Sequence, residues 1–228
     1  MSTDAGIRVE GLRFGYPAGF SLEVDRLAVA PGERVALTGV SGAGKTTLLH
    51  LIAGILPAAD GRIEIAGIDV VKLGADDRRD LRILRCGLVF QEFELLEYLP
   101  VLENVLLPYR LTSLLDSSPE VHGRAESLLK DVGLGDKLRR LPDQLSQGER
   151  QRVAVCRALV TRPSVLLGDE PTANLDPAHR DHVLETMLAY GSREHASVLI
   201  VTHDHEILPR FDRVVDVSEL GIAGAVGA

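Results

Sequence analysis

Gly39-Val40-Ser41-Gly42-Ala43-Gly44-Lys45-Thr46-Thr47 follows the apolar strand pattern Arg34-Val35-Ala36-Leu37-Thr38 and leads into the apolar helical pattern Leu48 to Ile55. The spacing is G-x-x-x-x-G-K-[ST], a phosphate loop, in the strand–loop–helix order that gives the motif its meaning. Glycines let backbone N–H groups close around a phosphate, and the following helix turns its positive end toward the same anion. In that setting Lys45 reaches the β/γ oxygens as a point charge and the Thr46 hydroxyl ligates Mg²⁺. Thr47 bonds the α-phosphate region, and Gly39, Ser41, Gly42 and Gly44 form the cradle. The plain alternative is a chance Gly-rich turn, which the Lys45-Thr46 pair in register behind a strand argues against.

Further along, Leu145-Ser146-Gln147-Gly148-Glu149-Arg150-Gln151-Arg152 opens a second helix that runs through Val153 to Leu159. Ser146 followed by Glu149 has the spacing of a capping box, which orients the first N–H groups of that helix. One nucleotide needs one phosphate loop, so a second anion-ready helix start calls for an occupant of its own.

Val165-Leu166-Leu167-Gly168-Asp169-Glu170-Pro171 ends an apolar strand on two acids, which are expensive to bury without partners. Successive strand residues point to opposite sides, so Asp169 and Glu170 serve different tasks. Asp169 fits a Mg²⁺ partner through water, and Glu170 fits a general base or orienter for the attacking water. A helix-capping Asp-Glu-Pro turn is the bland alternative.

The phosphate loop, the Leu-Ser-x-Gly-x-x-x-Arg segment and the Leu-Leu-Gly-Asp-Glu-Pro strand together resemble the nucleotide-binding domain of an ABC transporter, and the resemblance extends over nearly the whole chain. It implies ATP as substrate with Mg²⁺, and a head-to-tail pair with a second copy or a homologous ATPase subunit. In such a pair Ser146 and Gly148 meet the γ-phosphate of ATP held by the other subunit, and Asp176, within Ala173-Asn174-Leu175-Asp176, crosses the seam. Asp176 before Pro177 is equally good as a helix N-cap. The resemblance also assigns Gln91 to Mg²⁺ and the water, His203 to the γ-phosphate and to orienting Glu170, and Tyr16 to stacking on adenine. Phe14 shares a face with Tyr16, and either ring suits the core. The family usually has Gly where Gln147 stands and neutral Gln where Glu149 stands. A carboxylate there repels phosphate unless it folds back onto the Ser146 N–H, as the capping box allows.

The 228 residues suit one domain, or one with a sub-domain, and 45% hydrophobic residues supply a core. A net charge of −8 argues against a protein that coats nucleic acid. Cys86 and Cys156 sit in apolar segments and read as buried thiols in a reducing compartment. The start Met1 to Gly6 has no basic, apolar export pattern, the tail Gly221 to Ala228 reads as a frayed terminus, and no apolar run approaches the ~20 residues that span a bilayer.

The fold class is α/β. A P-loop core (1–91 and 164–228) carries an N-terminal antiparallel β sub-domain, and a helical sub-domain (92–163) is inserted with the Leu145–Arg152 motif. Strand patterns cover Ile7–Leu12, Phe20–Val24, Arg62–Ile65, Gly87–Phe90, Ser164–Leu167 and Ser197–Val201. Helical patterns cover Asp77–Leu84, Val101–Leu111, Pro119–Val132, Gly148–Leu159 and Pro177–Tyr190.

Gln91 to Leu96 and Val101 to Pro108 resemble the lipoprotein-release, macrolide-export and cell-division branch of the family. That implies ATP hydrolysis driving a separate integral membrane permease that contacts residues 91–108. The subunit would then be cytoplasmic, held peripherally at the inner membrane. The alternatives are a non-transport ABC-type ATPase of DNA maintenance, which would carry a long coiled coil, a translation-type protein, which would carry two such domains, and a small-molecule phosphotransferase, which has no use for Leu145–Arg152.

Overall fold

Residues 6–17, 19–173 and 175–220 are described by the structure, a computed structural model. The readings of residues 1–5, of Asn174 and of the tail 221–228 lie outside the described residues.

The chain begins with two long antiparallel strands, β1 (Ile7–Gly15) and β2 (Ser21–Val29), whose alternating burial gives one dry and one wet face. After β3 (Arg34–Thr38) and helix α1 (Lys45–Ile52) come β4 (Asp60–Ile65) and the short β5 (Ile68–Asp69). These complete a four-stranded antiparallel sheet in the order β2-β1-β4-β5. Helix α2 (Ala75–Arg85) leads into β6 (Cys86–Val89). Helices α3 (Val101–Val105), α4 (Pro108–Leu111), α5 (Pro119–Asp131) and α6 (Gln147–Leu159) follow before β7 (Val165–Asp169), α7 (Pro177–Glu194), β8 (Ser197–Val201) and β9 (Arg213–Asp216). The second sheet is parallel, with strand order β6-β7-β8-β3-β9.

The near-continuous apolar runs of β7 and β8 are buried along their whole length because both faces are covered. Leu37, Leu167, Leu199 and Val201 face α1 and the dry side of the antiparallel sheet. Their alternates Ala36, Leu166, Val198 and Ile200 face α6 and α7. A third cluster joins Val101, Val105, Leu129, Leu134 and Leu145 to Val153, Cys156 and Val160 of α6. Helix α6 thus lends Val155 and Ala158 to the sheet and its other stripe to the helical region, so the two cores share one rigid rod.

Several expected boundaries shift. The helix expected over Val101–Leu111 is two short helices, because Pro108 opens α4 and brings no N–H to continue the α3 ladder. Helix α1 starts earlier, at Lys45, and α7 continues past Tyr190 to Glu194, ending at His195 in the left-handed region. Strand β9, with its short Arg-Val-Val-Asp pattern, was not anticipated; it exists by pairing with β3. Glu170 is not a strand residue: its φ of +49° turns the chain out of β7 at once. The separation of Asp169 from Glu170 therefore comes from this left-handed turn and not from strand alternation.

The loop between β6 and α3 holds its backbone through two distant side chains. The buried Asn104 amide accepts from the Leu96 N–H at 2.8 Å and donates to the Leu96 and Leu99 carbonyls. Arg157 of α6 donates to the carbonyls of Phe93, at 2.7 Å, and Glu94. Phe93 and Glu94 both have positive φ, so the guanidinium fastens a backbone that is strained on its own. Both cysteines are free and buried, and burial pushes the Cys86 thiol up to about 12.

Candidate active site

Four neighbouring parallel strands deliver their following residues to one place: β3 the phosphate loop, β6 Gln91, β7 Asp169 and Glu170, and β8 His203. Ligands of open α/β sheets bind at the carboxyl ends of the strands, where such loops converge. Here the ends surround a cavity of about 460 Å³.

Its floor is Ser41, Gly42, Gly44, Lys45, Thr46 and Thr47. Helix α1 begins there on Gly44, with no capping side chain and no acid in its first turn, so its free N–H groups and positive end are open to an anion. Gly44 has φ +88°, and a Cβ there would sit 2.8 Å from Phe20 Cζ, so the close packing of Phe20 on the loop requires glycine. The Lys45 ammonium is 6% exposed and donates to the Gly39 and Val40 carbonyls at 2.9 Å each, arching back over the loop. Burial pulls its pKa below the usual lysine value, opposed by the carboxylates of Glu170, Asp169 and Asp216.

Thr46 Oγ1 donates to Asp169 Oδ1 at 3.2 Å, joining residues far apart in sequence. Glu170 Oε1 lies 2.9 Å from His203 Nε2. Burial raises the Glu170 pKa and the Asp169 charge adds to it, while His203 and Lys45 act in the opposite sense. A carboxyl held above its ordinary range is closer to the proton affinity a general base needs. Tyr16 and Phe20 line one side, with ring centroids 6.1 Å apart, and Phe14 meets Tyr16 edge-on at 4.7 Å. Phe20 was missed as a site residue because its pattern reads only as the start of a strand.

The donor set suits Mg²⁺. That ion takes one or two protein oxygens and completes its octahedron with phosphates and water. Thr46 and Asp169 already share a hydrogen bond at the cavity floor, with Gln91 on the wall.

Ser146, Gly148 and Asp176 do not line this cavity. The expected capping box is present: Ser146 Oγ accepts from the Glu149 N–H at 3.3 Å, and Glu149 Oε2 accepts from the Ser146 N–H at 2.9 Å. Lys137 donates to the other Glu149 oxygen, and this bond is the largest cause holding the Glu149 carboxyl down to about 2. Asp176 caps α7 by accepting from the His179 N–H at 3.2 Å, and its other oxygen meets His179 Nδ1. The same imidazole packs on Gly148, where an added Cβ would stand 3.0 Å from the ring. His179, set aside on sequence grounds, thus ties the start of α6 to the start of α7. Gln151, 1% exposed, donates from α6 to the Pro171 carbonyl at 2.5 Å, bracing the turn that carries Glu170.

Parallel sheet, phosphate loop and the acid pair behind β7 define a P-loop nucleoside triphosphatase. The family profile described as ABC transporter matches residues 22–173. The lipoprotein-releasing system ATP-binding protein LolD of Ruegeria sp. (strain TM1040) is 44% identical over 225 residues, covering 95% of this chain and 97% of that protein. The LolD of Novosphingobium aromaticivorans is 43% identical over 221 residues, covering 95% and 98%. Among solved structures, the ATP-binding cassette MJ0796, in a dimeric post-hydrolysis state bound to ADP and Pi, superposes with a TM-score of 0.84 at 30% identity, covering 92% of this chain and 93% of that one. The chain belongs to the ABC transporter family, as an ATP-binding subunit that hydrolyses ATP.

Proposed function

We propose that the protein works in a head-to-tail pair, with a second copy or a homologous subunit, and that ATP-driven closure and reopening move a separate membrane permease of the lipoprotein-release kind. The subunit would sit on the cytoplasmic side of the inner membrane, held there by the permease. Among the described residues no helix is long and apolar enough to cross a membrane.

One observation carries the paired reading. The cavity already gathers a phosphate cradle, a lysine, an acid pair and a histidine, yet the second anion-ready helix start, at Ser146 and Gly148, lies outside it. Those N–H groups need a phosphate from elsewhere, and a facing partner would supply it. Asp176, bound to the same imidazole that packs on Gly148, would cross the seam with them.

Within one subunit, Gly39, Ser41, Gly42, Gly44 and Thr47 cradle the phosphates and Lys45 reaches the β/γ oxygens. Tyr16 stacks on the adenine. Thr46 and Gln91, with Asp169 through a water, hold Mg²⁺, which supplies positive charge to the phosphate oxygens when bound. Glu170 takes the proton of the attacking water, and His203 holds Glu170 in place while donating to the γ-phosphate. Water exclusion and completion of the site wait on the partner's Ser146, Gly148 and Asp176 side of the pair, which couples turnover to closure.

The permease contact is proposed at residues 91–108. A second groove of about 210 Å³ there is lined by Phe90, Glu94, Leu107, Pro108 and Leu111, with Arg157 at its base. Since Glu94 leads back to Gln91, a partner helix seated there would reach the nucleotide through one short loop.

Glu170→Gln should bind ATP, lose turnover and accumulate as an ATP-dependent dimer in size-exclusion chromatography. A strictly monomeric protein with ATP bound would overturn the paired reading. Co-purification of a membrane subunit with the wild-type chain tests the permease.

A further inference from the structure

The acidic residue at the start of α6 sits where a phosphate from the facing subunit is proposed to arrive, and a bare carboxylate at that point would repel it. The Glu149 carboxylate is not bare. One oxygen accepts from the Ser146 N–H at 2.9 Å and the other accepts from Lys137 Nζ. Glu149 and Lys137 side chains are 15% and 21% exposed, so the pair is tucked against the protein and is poorly screened by salt.

Lys137 comes from the turn after α5, outside the first turn of α6. Its neighbour Leu134 belongs to the same buried cluster as Val153 of α6, which fixes that turn against the helix. The ammonium therefore arrives on a rigid support. Three results follow from this arrangement. The carboxylate is folded back on its own helix start, the Gly148 end stays open to a ligand, and the local charge is cancelled.

We propose that Lys137 is a positioning residue for nucleotide-driven pairing: it holds Glu149 back from the phosphate-facing end of α6 and neutralises it, so that a helix start carrying an acid receives a triphosphate as a neutral one would. The proposal rests on the paired reading above. Lys137 touches no nucleotide in it and acts through Glu149.

The test uses the full chain in the Glu170→Gln background with ATP and Mg²⁺, reading the monomer–dimer dissociation constant by sedimentation equilibrium. Lys137→Met should weaken the dimer by about tenfold or more, as expected when one partner of a close charge pair is removed. Adding Glu149→Gln to Lys137→Met should bring the constant back to within about twofold of Glu149→Gln alone, the signature of a coupled pair. The defect of Lys137→Met should shrink between about 0.05 M and about 0.5 M salt, because repulsion between a newly exposed carboxylate and phosphate is screened.

Dimerisation of Lys137→Met equal to the Glu170→Gln parent would overturn the proposal, and so would a double variant as weak as Lys137→Met itself. A Glu170→Gln parent that binds a fluorescent ATP analogue yet stays monomeric would instead overturn the paired reading, and the proposal with it. A lowered monomer melting temperature that Glu149→Gln does not restore would mark Lys137 as a folding residue only, and would also overturn it.

Discussion

His203 Nε2 stands 2.9 Å from Glu170 Oε1 across a turn in which Glu170 has φ +49°. A left-handed conformation costs a non-glycine residue about 1–3 kcal/mol, and active sites are where such strain collects. The pair spans two adjacent strand ends, so the hydrogen bond holds a carboxyl that burial also pushes toward neutrality. The strained turn, the raised carboxyl and its imidazole partner make a poised proton acceptor facing the phosphate loop.

The first prediction concerns pH. Protonating Glu170 removes the base, so ATP turnover should fall as pH drops through a value above the ordinary 4.5 of a glutamate. In His203→Ala this acid limb should move to higher pH, because the histidine acts to lower the Glu170 pKa. Glu170→Gln should lose roughly a hundredfold or more in turnover, the scale seen when one preorganised transition-state group is removed. Its stability should follow the linkage sign for a carboxyl raised on folding. Wild type is penalised at neutral pH and relieved as pH falls toward 4.5, so Glu170→Gln should unfold at equal or higher urea than wild type at pH 7, with the gap closing in acid. Steady-state rates and urea midpoints measured across pH check both.

Lys45→Ala should lose ATP binding outright. The ammonium is buried and bonded to two loop carbonyls, so no neighbouring cation replaces it. A weakening of about a hundredfold, ~2.7 kcal/mol, is the expected scale. Lys45→Arg should not rescue it, because a planar fork does not fit where a compact ammonium arches over Gly39 and Val40. Fluorescence titration with a nucleotide analogue measures both variants.

Gly148→Ala should disturb the α6 start by sterics. The new methyl would meet the His179 ring at 3.0 Å, and that ring is tied to Asp176. ATP-dependent pairing in the Glu170→Gln background should weaken by about tenfold or more. Adding His179→Ala should recover the monomer's melting temperature but not the pairing, since the contact and the phosphate-facing surface are separate consequences of one glycine. Calorimetry and sedimentation read the two apart.

Arg157→Ala should destabilise the chain by roughly 2–3 kcal/mol, because two buried carbonyls lose a charged donor. Arg157→Lys should recover part of this, since one ammonium reaches one carbonyl well. Both should lower turnover by loosening the segment that follows Gln91. Urea midpoints beside steady-state rates, with ATP binding measured separately, test whether the loss lies in positioning Gln91.

Much of this protein was legible in its sequence wherever the deciding contacts are local. The phosphate loop, the Ser146–Glu149 box and the Asp176 cap close within a few residues, so their spacing specifies their geometry. The apolar runs of β7 and β8 announced buried parallel strands, since strands covered on both faces lose the alternation. The break at Pro108 was written in the sequence too, in a missing N–H, yet the apolar periodicity on both sides masked it.

What the tertiary structure alone decided are the bonds between distant segments. Thr46 reaches Asp169, Arg157 reaches Phe93 and Glu94, Gln151 reaches Pro171, and Lys137 reaches Glu149. None has a periodicity or a spacing, because each forms only after strands and helices have packed and set two remote side chains within bonding distance. Strand β9 is of the same kind, a short segment extended because β3 offers it an open edge. Local chemistry determined that this chain would bind phosphate. Long-range packing determined that the acid beside the second helix start would be neutralised, and that Glu170 would leave its strand to meet His203.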